Sequence, residues 1–460
     1  MLTTSRRGRG RTTVLVLTLA ALAVTRVAPA AEAASPKIKR VKDINPGPSD
    51  SNVNHLTAFK GKVFFAADDG NGTELWRSDG TKAGTKKVKD INPLGSASVT
   101  GLYVHKGILY FVASDGVNGR ELWRSNGTKK GTTMVKNINP GPLPSIPIGL
   151  MSYNGKLFFT AVRDGRGREL WKSDGTRKGT KLVKDIQPGG TGSDPGGLAV
   201  VNGKLIFRAS ESTYGTELWK SDGTKSGTKL LKDIWPNPPS STPSFMTRVG
   251  NKAYFFAHDG VTGRELWKTK GTRKTTKRVR DLRLGPLGSI DEPSPGVLDG
   301  TFYFTADNGA TGEEMFRTRG KKSDTKLLKD IFPGGDARPE FPTAYKGRLW
   351  FGADDGVDVE PWTTNGKRSK TKQFKNLYAG GKSFPGSWTK ADGLLFFVAR
   401  NGKGRELWQT NGKKKGTRLT KDVHPGPGDS SIQQLTRVGK KLFFRADDGA
   451  KGKELWVRKP

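Results

Sequence analysis

Between Leu56 and Ile91 short apolar runs alternate with turn residues. Leu56 to Phe59 is the first run, Lys60-Gly61 a turn, and Lys62-Val63-Phe64-Phe65-Ala66-Ala67 a second run rich in β-formers. Asp68-Asp69-Gly70-Asn71-Gly72 then breaks the chain and Thr73 to Ser78 makes a third strand. Asp79-Gly80 reads as a tight hairpin because both residues tolerate positive φ. Lys86 to Ile91 supplies a fourth strand before Pro93 and Gly95 end the unit. Four short antiparallel strands are predicted.

The same unit recurs along the chain. Its third strand ends in Glu-Leu-Trp or a near copy at Trp76, Trp123, Trp171, Trp219, Trp267, Phe316, Trp362, Trp408 and Trp456, at spacings of 47, 48, 48, 48, 49, 46, 46 and 48. A period in that range marks a propeller or solenoid array. The second strands carry Phe111, Phe158-Phe159, Phe207, Phe255-Phe256, Phe304, Trp350-Phe351, Phe396-Phe397 and Phe443-Phe444. A blade apolar on both faces must be sandwiched between neighbours, as radial packing does; a linear β-solenoid is the rival, with coils usually shorter than this unit. Lys39-Arg40-Val41-Lys42-Asp43-Ile44 matches the fourth strand of later units, while the chain stops after a third strand at Trp456. Pairing those two segments closes the ring and removes its exposed edges. The expected fold is therefore all-β, a β-propeller of about nine four-stranded blades completed by the N-terminal strand. Eight blades with an irregular unit is the alternative, since units six and seven deviate.

Residues 1–33 start with Arg6, Arg7, Arg9 and Arg11, continue through the apolar run Thr13 to Val24, and end in Ala-Pro-Ala and Ala-Glu-Ala. They read as an export signal, leaving 34–460 as one repeat domain. Ser5-Arg6-Arg7 hints at the twin-arginine route, but Gly-Arg-Gly follows where that route wants an apolar residue, so Sec export is expected. No later stretch approaches the ~20 apolar residues of a membrane span. With no cysteine there is neither a lipid-attachment thiol nor a disulfide. A secreted protein is expected, held to its envelope without a covalent bond if it is held at all.

Charge adds a direction. The chain carries 80 Lys and Arg against 43 Asp and Glu, a net +37. The thirteen residues that follow each of the first eight Trp or Phe markers together hold 41 Lys and Arg and only four acids, Asp79, Asp174, Asp222 and Asp324. In a propeller those segments form the rim and one face, while Asp68-Asp69, Asp115, Asp164, Asp259, Asp307, Asp354-Asp355 and Asp447-Asp448 collect on the other. A belt of this kind attracts polyanions by counterion release. Its candidate contacts are Lys86, Lys87, Lys129, Lys130, Arg177, Lys178, Arg273, Lys274, Lys277, Arg278, Lys321, Lys322, Lys413, Lys414 and Lys415. Teichoic acid, acidic polysaccharide, extracellular DNA and anionic lipid surfaces are the partners it suggests. Lysines on an outer strand also guard an edge against aggregation, which accounts for the same residues without a partner.

The repeated Glu74-Leu75-Trp76-Arg77-Ser78-Asp79-Gly80-Thr81, seen again at 169–176 and 217–224, resembles the ELW-x-x-DGT repeat family of exported bacterial proteins. The resemblance spans essentially the whole mature chain. It implies a repetitive, propeller-like extracellular protein and lends no activity or catalytic residues. The sequence departs from the motif at Glu314-Met315-Phe316, at Glu360-Pro361-Trp362, and at the turns Lys270-Gly271 and Arg319-Gly320.

Candidate chemistry is sparse. Glu74, Glu121, Glu169, Glu217, Glu265, Glu314, Glu360, Glu406 and Glu454 occupy one position in every unit. An active site needs residues converging from different blades, so these glutamates read as structural acceptors for backbone or Ser/Thr donors. Asp68 and Asp69 are weak calcium candidates, short of the six to eight oxygens that ion takes; turn chemistry explains them equally. His55, His105, His258 and His424 fall at unrelated positions, and no nucleophile elbow or phosphate loop appears. Breaks in the repeat point elsewhere, to Trp235, Trp388 and Pro361, and to the proline-rich loops 235–245 and 284–296. Trp235 and Trp388 are candidate contacts on the loop face. The leading expectation is an exported, non-enzymatic binding protein whose basic rim holds anionic envelope or matrix polymers. An adhesion or scaffold propeller is the second, and a polysaccharide-active enzyme at the channel mouth the third.

Overall fold

The computed structural model describes residues 37–236, 239–291 and 293–460, so the export signal expected at 1–33 lies outside the described residues. The described chain forms nine four-stranded antiparallel sheets, eight of them in simple sequential order and the ninth completed by the N-terminal strand, arranged as a β-propeller. Apart from blades five and six, the first strands of successive sheets lie beside one another, and that of the ninth lies beside that of the first, so they ring the axis. The nine-blade count holds and the eight-blade alternative does not.

Closure follows the sequence. Ile38–Lys42 is the outermost strand of blade nine, pairing with Lys453–Arg458 in the register Ile38↔Arg458, Lys39↔Val457 and Arg40↔Trp456. The outer strand of blade one ends at Lys89 instead of the expected Ile91, because the Ile91 and Asn92 N–H groups turn away to donate to the Glu74 carboxylate at 2.8 and 3.0 Å.

Alternation along the second strand explains why each blade is apolar on both faces. Val63 and Phe65 pack with Val438, Phe443 and Leu455 of blade nine, whereas Phe64 and Ala66 pack with Leu109, Phe111 and Trp123 of blade two. Side chains of a strand alternate between its faces, so every blade donates a layer to both neighbours.

The cations of the outer strand turn out to bolt the blades together. Lys89, Lys136, Lys184, Lys232, Arg280, Lys329, Lys375 and Lys421 each donate to a main-chain carbonyl of the next blade: Thr132, Thr180, Thr228, Thr276, Thr325, Thr371, Thr417 and Ile38, at 2.6–3.3 Å. Lys42, Lys89, Lys136, Lys184, Lys232, Lys329 and Lys421 also sit over the marker Trp of the following blade, 5.0–5.9 Å from the ring. Arg77, Arg124 and Lys172 reach the glycine carbonyl of the neighbouring hairpin, on Gly127, Gly175 and Gly223. The repeated Trp is thus half of an inter-blade clasp. Replacing Lys184 by Met keeps the aliphatic stem but loses both the cation–π contact and the capped Thr228 carbonyl. We expect a cost of about 1–2 kcal/mol, read as a lower melting temperature, and unchanged melting would refute the clasp.

The hairpin sequence has an equally local explanation. Asp79 Oδ1 accepts from the Thr81 N–H and hydroxyl, and Gly80 adopts φ +88° while its N–H donates to Ser78 Oγ. The hydroxyls of Ser78 and Thr85 meet at 2.7 Å, and the same pair recurs in the seven hairpins that follow.

Candidate functional site

The basic belt is only partly what the composition implied. Lys86, Lys129, Lys130, Arg177, Lys178, Arg273, Lys274, Lys277, Lys321, Lys322, Lys413, Lys414 and Lys415 are exposed on the hairpins and outer strands. Lys87 and Arg278, each the second residue of its outer strand, lie on the other face of that strand from Lys86 and Lys277. They are half-buried and ion-paired, Lys87 with Asp69 at 3.2 Å and Arg278 with Asp259 at 3.0 Å, so both are corrected from polyanion contacts to internal ion pairs. The clasp draws on other cations of the same segments, such as Lys89, Lys136 and Lys184.

The nine repeated glutamates are buried, each fully, and act as acceptors for the loop that carries the chain to the next blade. Glu217 is typical: its two oxygens take the N–H groups of Ile234, Trp235 and Ser241 and the Ser241 hydroxyl. Glu265, Glu314, Glu406 and Glu454 differ, because one oxygen of each has no hydrogen-bond partner. Burial pushes those four carboxyls up to about 7. No two of these glutamates share a blade, so they form a scaffold and not an acid–base pair.

Asp68 and Asp69 are spent within their own loop. Asp68 Oδ1 accepts from the Gly70 and Gly72 N–H groups at 2.8 and 3.0 Å, and Asp69 holds Lys87. Among the described residues no group of three or more His, Asp or Glu gathers in a geometry suited to a metal ion. His105 Nδ1 meets Ser152 Oγ at 2.8 Å, and His258 stacks on Trp235 at 4.5 Å between ring centres.

Trp388 is corrected as well. It is not on a loop: it sits in the inner strand Gly386–Ala391, is 9% exposed, and stacks on Phe397 at 4.5 Å. It occupies the position that is Leu in blades one to four, which is why the core absorbs it. Trp235 is half-buried beside His258.

Sequence reasoning missed the feature that most distinguishes the loop face. Eight blades place two left-handed residues three apart where the chain enters the inner strand: Asn52 and His55, Ser98 and Gly101, Ile146 and Gly149, Asp194 and Gly197, Thr242 and Phe245, Arg338 and Phe341, Phe384 and Ser387, Ser431 and Gln434. The inner strands of these blades carry a register shift at this point. A bulge re-aims side chains, and a bulky residue at positive φ is a strained exception. Three blades relieve the second position with Gly. Blades five and seven instead hold Phe245 and Phe341 there, 51% and 55% exposed, and blade eight has Phe384, 49% exposed, at the first.

Blade six breaks the pattern outright. Its inner strand, Gly296–Leu298, has three residues where the other blades have six, and it pairs without a bulge. Pro293 and Pro295 precede it, and neither has an N–H to give to a ladder. The shortfall opens a cavity of about 580 Å³ lined by Asp291, Ser294, Asp307, Asp336, Arg338 and Glu340. A second, of about 270 Å³, shares Arg338 and Glu340 and reaches Lys382 and Phe384. A third, of about 460 Å³, shares Ser294 and carries Phe341, Ser387, Trp388, Thr389 and Gln434. Through these shared residues they adjoin as one groove across blades six to nine on the loop face, Gln434 belonging to the inner strand of blade nine. Most of its charges are internally paired, Asp307 with Arg283 at 2.7 Å, Asp336 with Arg338 at 3.2 Å and Asp354 with Lys382 at 2.7 Å.

No family model and no curated protein matches the chain. Among solved structures, a puromycin hydrolase is similar at 11% identity and a TM-score of 0.40, over 76% of this chain and 58% of its own. One of two prolyl endopeptidases is similar at 11% and 0.42, over 87% and 54%. A puromycin-hydrolysing peptidase of Mycobacterium tuberculosis is similar at 8% and 0.40, over 76% and 58%. The chain spans little more than half the length of these structures. The similar structures are hydrolases, which runs against the expectation of a non-enzymatic protein holding anionic polymers by its rim, and that expectation is not carried forward. At these identities and TM-scores the likeness itself assigns no reaction and no site to this chain.

Proposed function

We propose that this is an exported propeller of the ELW-x-x-DGT family whose working surface is the groove at the channel mouth of blades six to nine, and that the groove takes a glycan segment. The observation that carries this reading is the truncated inner strand of blade six, which opens a groove where the inner-strand pattern fails. Structural needs are met by the repeat, so a rule broken without gain in packing points to function. The lining is of the right kind. Ser387, Thr389, Gln434 and Glu340 offer hydroxyl, amide and carboxylate partners for sugar hydroxyls, and Phe341 and Phe384 offer exposed ring faces for the apolar side of a pyranose.

Strain makes a clean test possible. Phe341 holds φ +54° and gains nothing from the core, whereas Gly101, Gly149 and Gly197 occupy the equivalent bulges at φ +62 to +68°. Phe341→Gly should therefore melt at or slightly above the parent temperature, since glycine removes a strain of roughly 1 kcal/mol. Its affinity for neutral oligosaccharides, measured by calorimetry, should fall by about tenfold or more, as expected when an aromatic contact is lost. Unchanged affinity in Phe341→Gly, or no affinity of the parent for any neutral oligosaccharide, would remove the groove from consideration as a glycan site.

A further inference from the structure

On the opposite face, the hairpin of blade five departs from every other. In six of the eight hairpins between third and fourth strands the first turn residue is Asp79, Asn126, Asp174, Asp222, Asn365 or Asn411. Blade six has Arg319 there, but supplies Asp324 from across the turn, whose Oδ1 accepts from the Arg319 and Lys321 N–H groups at 3.2 and 2.9 Å. Blade five has Lys270 and no acid at all in residues 268–280, which hold seven Lys and Arg.

The substitution is made possible by its partner. In blade four a Cβ on Gly227 would lie 2.0 Å from Asp222 Oδ1, because the Asp folds back over the turn. Blade five carries Thr275 at that position, and Thr275 bonds to Thr272 within the turn. Lys270 cannot occupy the space Asp222 fills, and it is exposed. The result is a cavity of about 300 Å³ lined by Lys252, Lys268, Lys270, Lys274, Lys277, Thr269 and Thr275.

Five lysines line this one small cavity, and their like charges repel one another. Lys252 and Lys268 donate to the Arg319 and Gly320 carbonyls of the next blade, yet an ammonium has three protons, so each retains donors. Burial, then Lys252, Lys277 and Lys270, pull Lys268 below the ordinary lysine range, with only Asp324 of blade six opposing. No carboxylate lines the cavity.

We infer that this five-lysine cavity is a discrete binding site for a compact ligand bearing two or more phosphate or sulfate groups. It is one site on one blade, distinct from the groove on the loop face and from the rim at large. The other hairpins keep their Asx or acid. Ammonium donors hold phosphate and sulfate oxygens as point charges, through charge-assisted hydrogen bonds.

The test uses the full chain at about 150 mM salt, where contacts between exposed charges are screened beyond roughly 8 Å. Inorganic pyrophosphate and a sulfated disaccharide are titrated separately by calorimetry, and the tighter of the two names the source of the anion. The double variant Lys270→Asp with Thr275→Gly restores the turn of blade four, so it should fold and melt like the parent. It should bind at least tenfold more weakly, and Lys274→Ser, the residue found in blade four, should weaken binding a few-fold. Equal affinity in parent and double variant would reduce the effect to overall charge and overturn the site. Failure of both probes to bind the parent would overturn it equally.

Discussion

Removing residues 37–44 is expected to abolish cooperative unfolding of the propeller or to lower its melting temperature by more than about 10 °C. Ile38–Lys42 is the outer strand of blade nine, and without it the strand Lys453–Arg458 becomes an open edge. Val41 and Ile44, 5% and 3% exposed, leave a cluster that also holds Val53, Val63, Phe65, Trp76, Phe443 and Leu455. Burial of two such side chains is worth roughly 3–5 kcal/mol. Lost as well are the Arg40–Asp448 ion pair, the Lys42 cation over Trp76 and the Ile44 N–H donated to Glu454 Oε2 at 3.1 Å. The last loss matters most locally, since Glu454 already lacks a partner for its other oxygen and would become a buried carboxylate without its best donor. An unpaired edge also recruits other chains, so the truncated protein should aggregate as its concentration rises. Adding a peptide of residues 37–45 in trans should restore part of the melting temperature. A truncated chain that melts with the parent would show that the ring is held by blade stacking alone.

The blades were legible because each requirement leaves a mark at short range: Asp-Gly for the hairpin, alternating apolar residues for a doubly buried strand, and Glu-Leu-Trp at a fixed period. Closure was legible because Val41-Lys42-Asp43-Ile44 repeats a fourth strand in the wrong place. What the sequence hid are relations between blades. Lys184 reads as one more surface charge until Trp219 and the Thr228 carbonyl are seen beneath it. Trp388 looked like a loop residue because the bulge at Ser387 disguises where the inner strand begins. The groove was half visible: Pro293 and Pro295 marked a break, but that the break shortens an inner strand at its entry and leaves a cavity there is a relation to Asp336, Arg338 and Glu340, which are distant in sequence. The left-handed pairs were invisible, since Phe245 and Phe341 are poor residues for positive φ and carry no sequence cue for it.

Mild acid should stabilise the fold. Glu265, Glu314, Glu406 and Glu454 are held near 7 against an ordinary value of 4.5, because burial disfavours the ionised form and one oxygen of each has no donor. Each binds its proton more tightly folded than unfolded. The stability this provides is fully present below about 4.5 and is lost as pH rises through about 7, by linkage. Each pH unit of preference corresponds to about 1.4 kcal/mol, so ionising one of these carboxyls in the fold costs on the order of 3 kcal/mol. The melting temperature should thus be several °C higher at pH 5 than at pH 8. Asp79, Asp174 and Asp222, held below their ordinary range by Thr hydrogen bonds, act in the opposite sense, and their contribution fails only as pH falls below about 4. Two glutamine variants separate this cause from overall charge. In Glu406→Gln the amide oxygen can still accept from the Val423 N–H while the NH2 takes the place of the orphaned oxygen. That variant should melt above the parent at pH 8 and show a flatter pH profile. In Glu217→Gln the NH2 must face N–H groups that both carboxylate oxygens now satisfy. It should lose about 2 kcal/mol at either pH. A parent whose melting is level from pH 5 to 8, or a Glu406→Gln curve that tracks the parent, would mean these carboxyls are ionised in the folded ring.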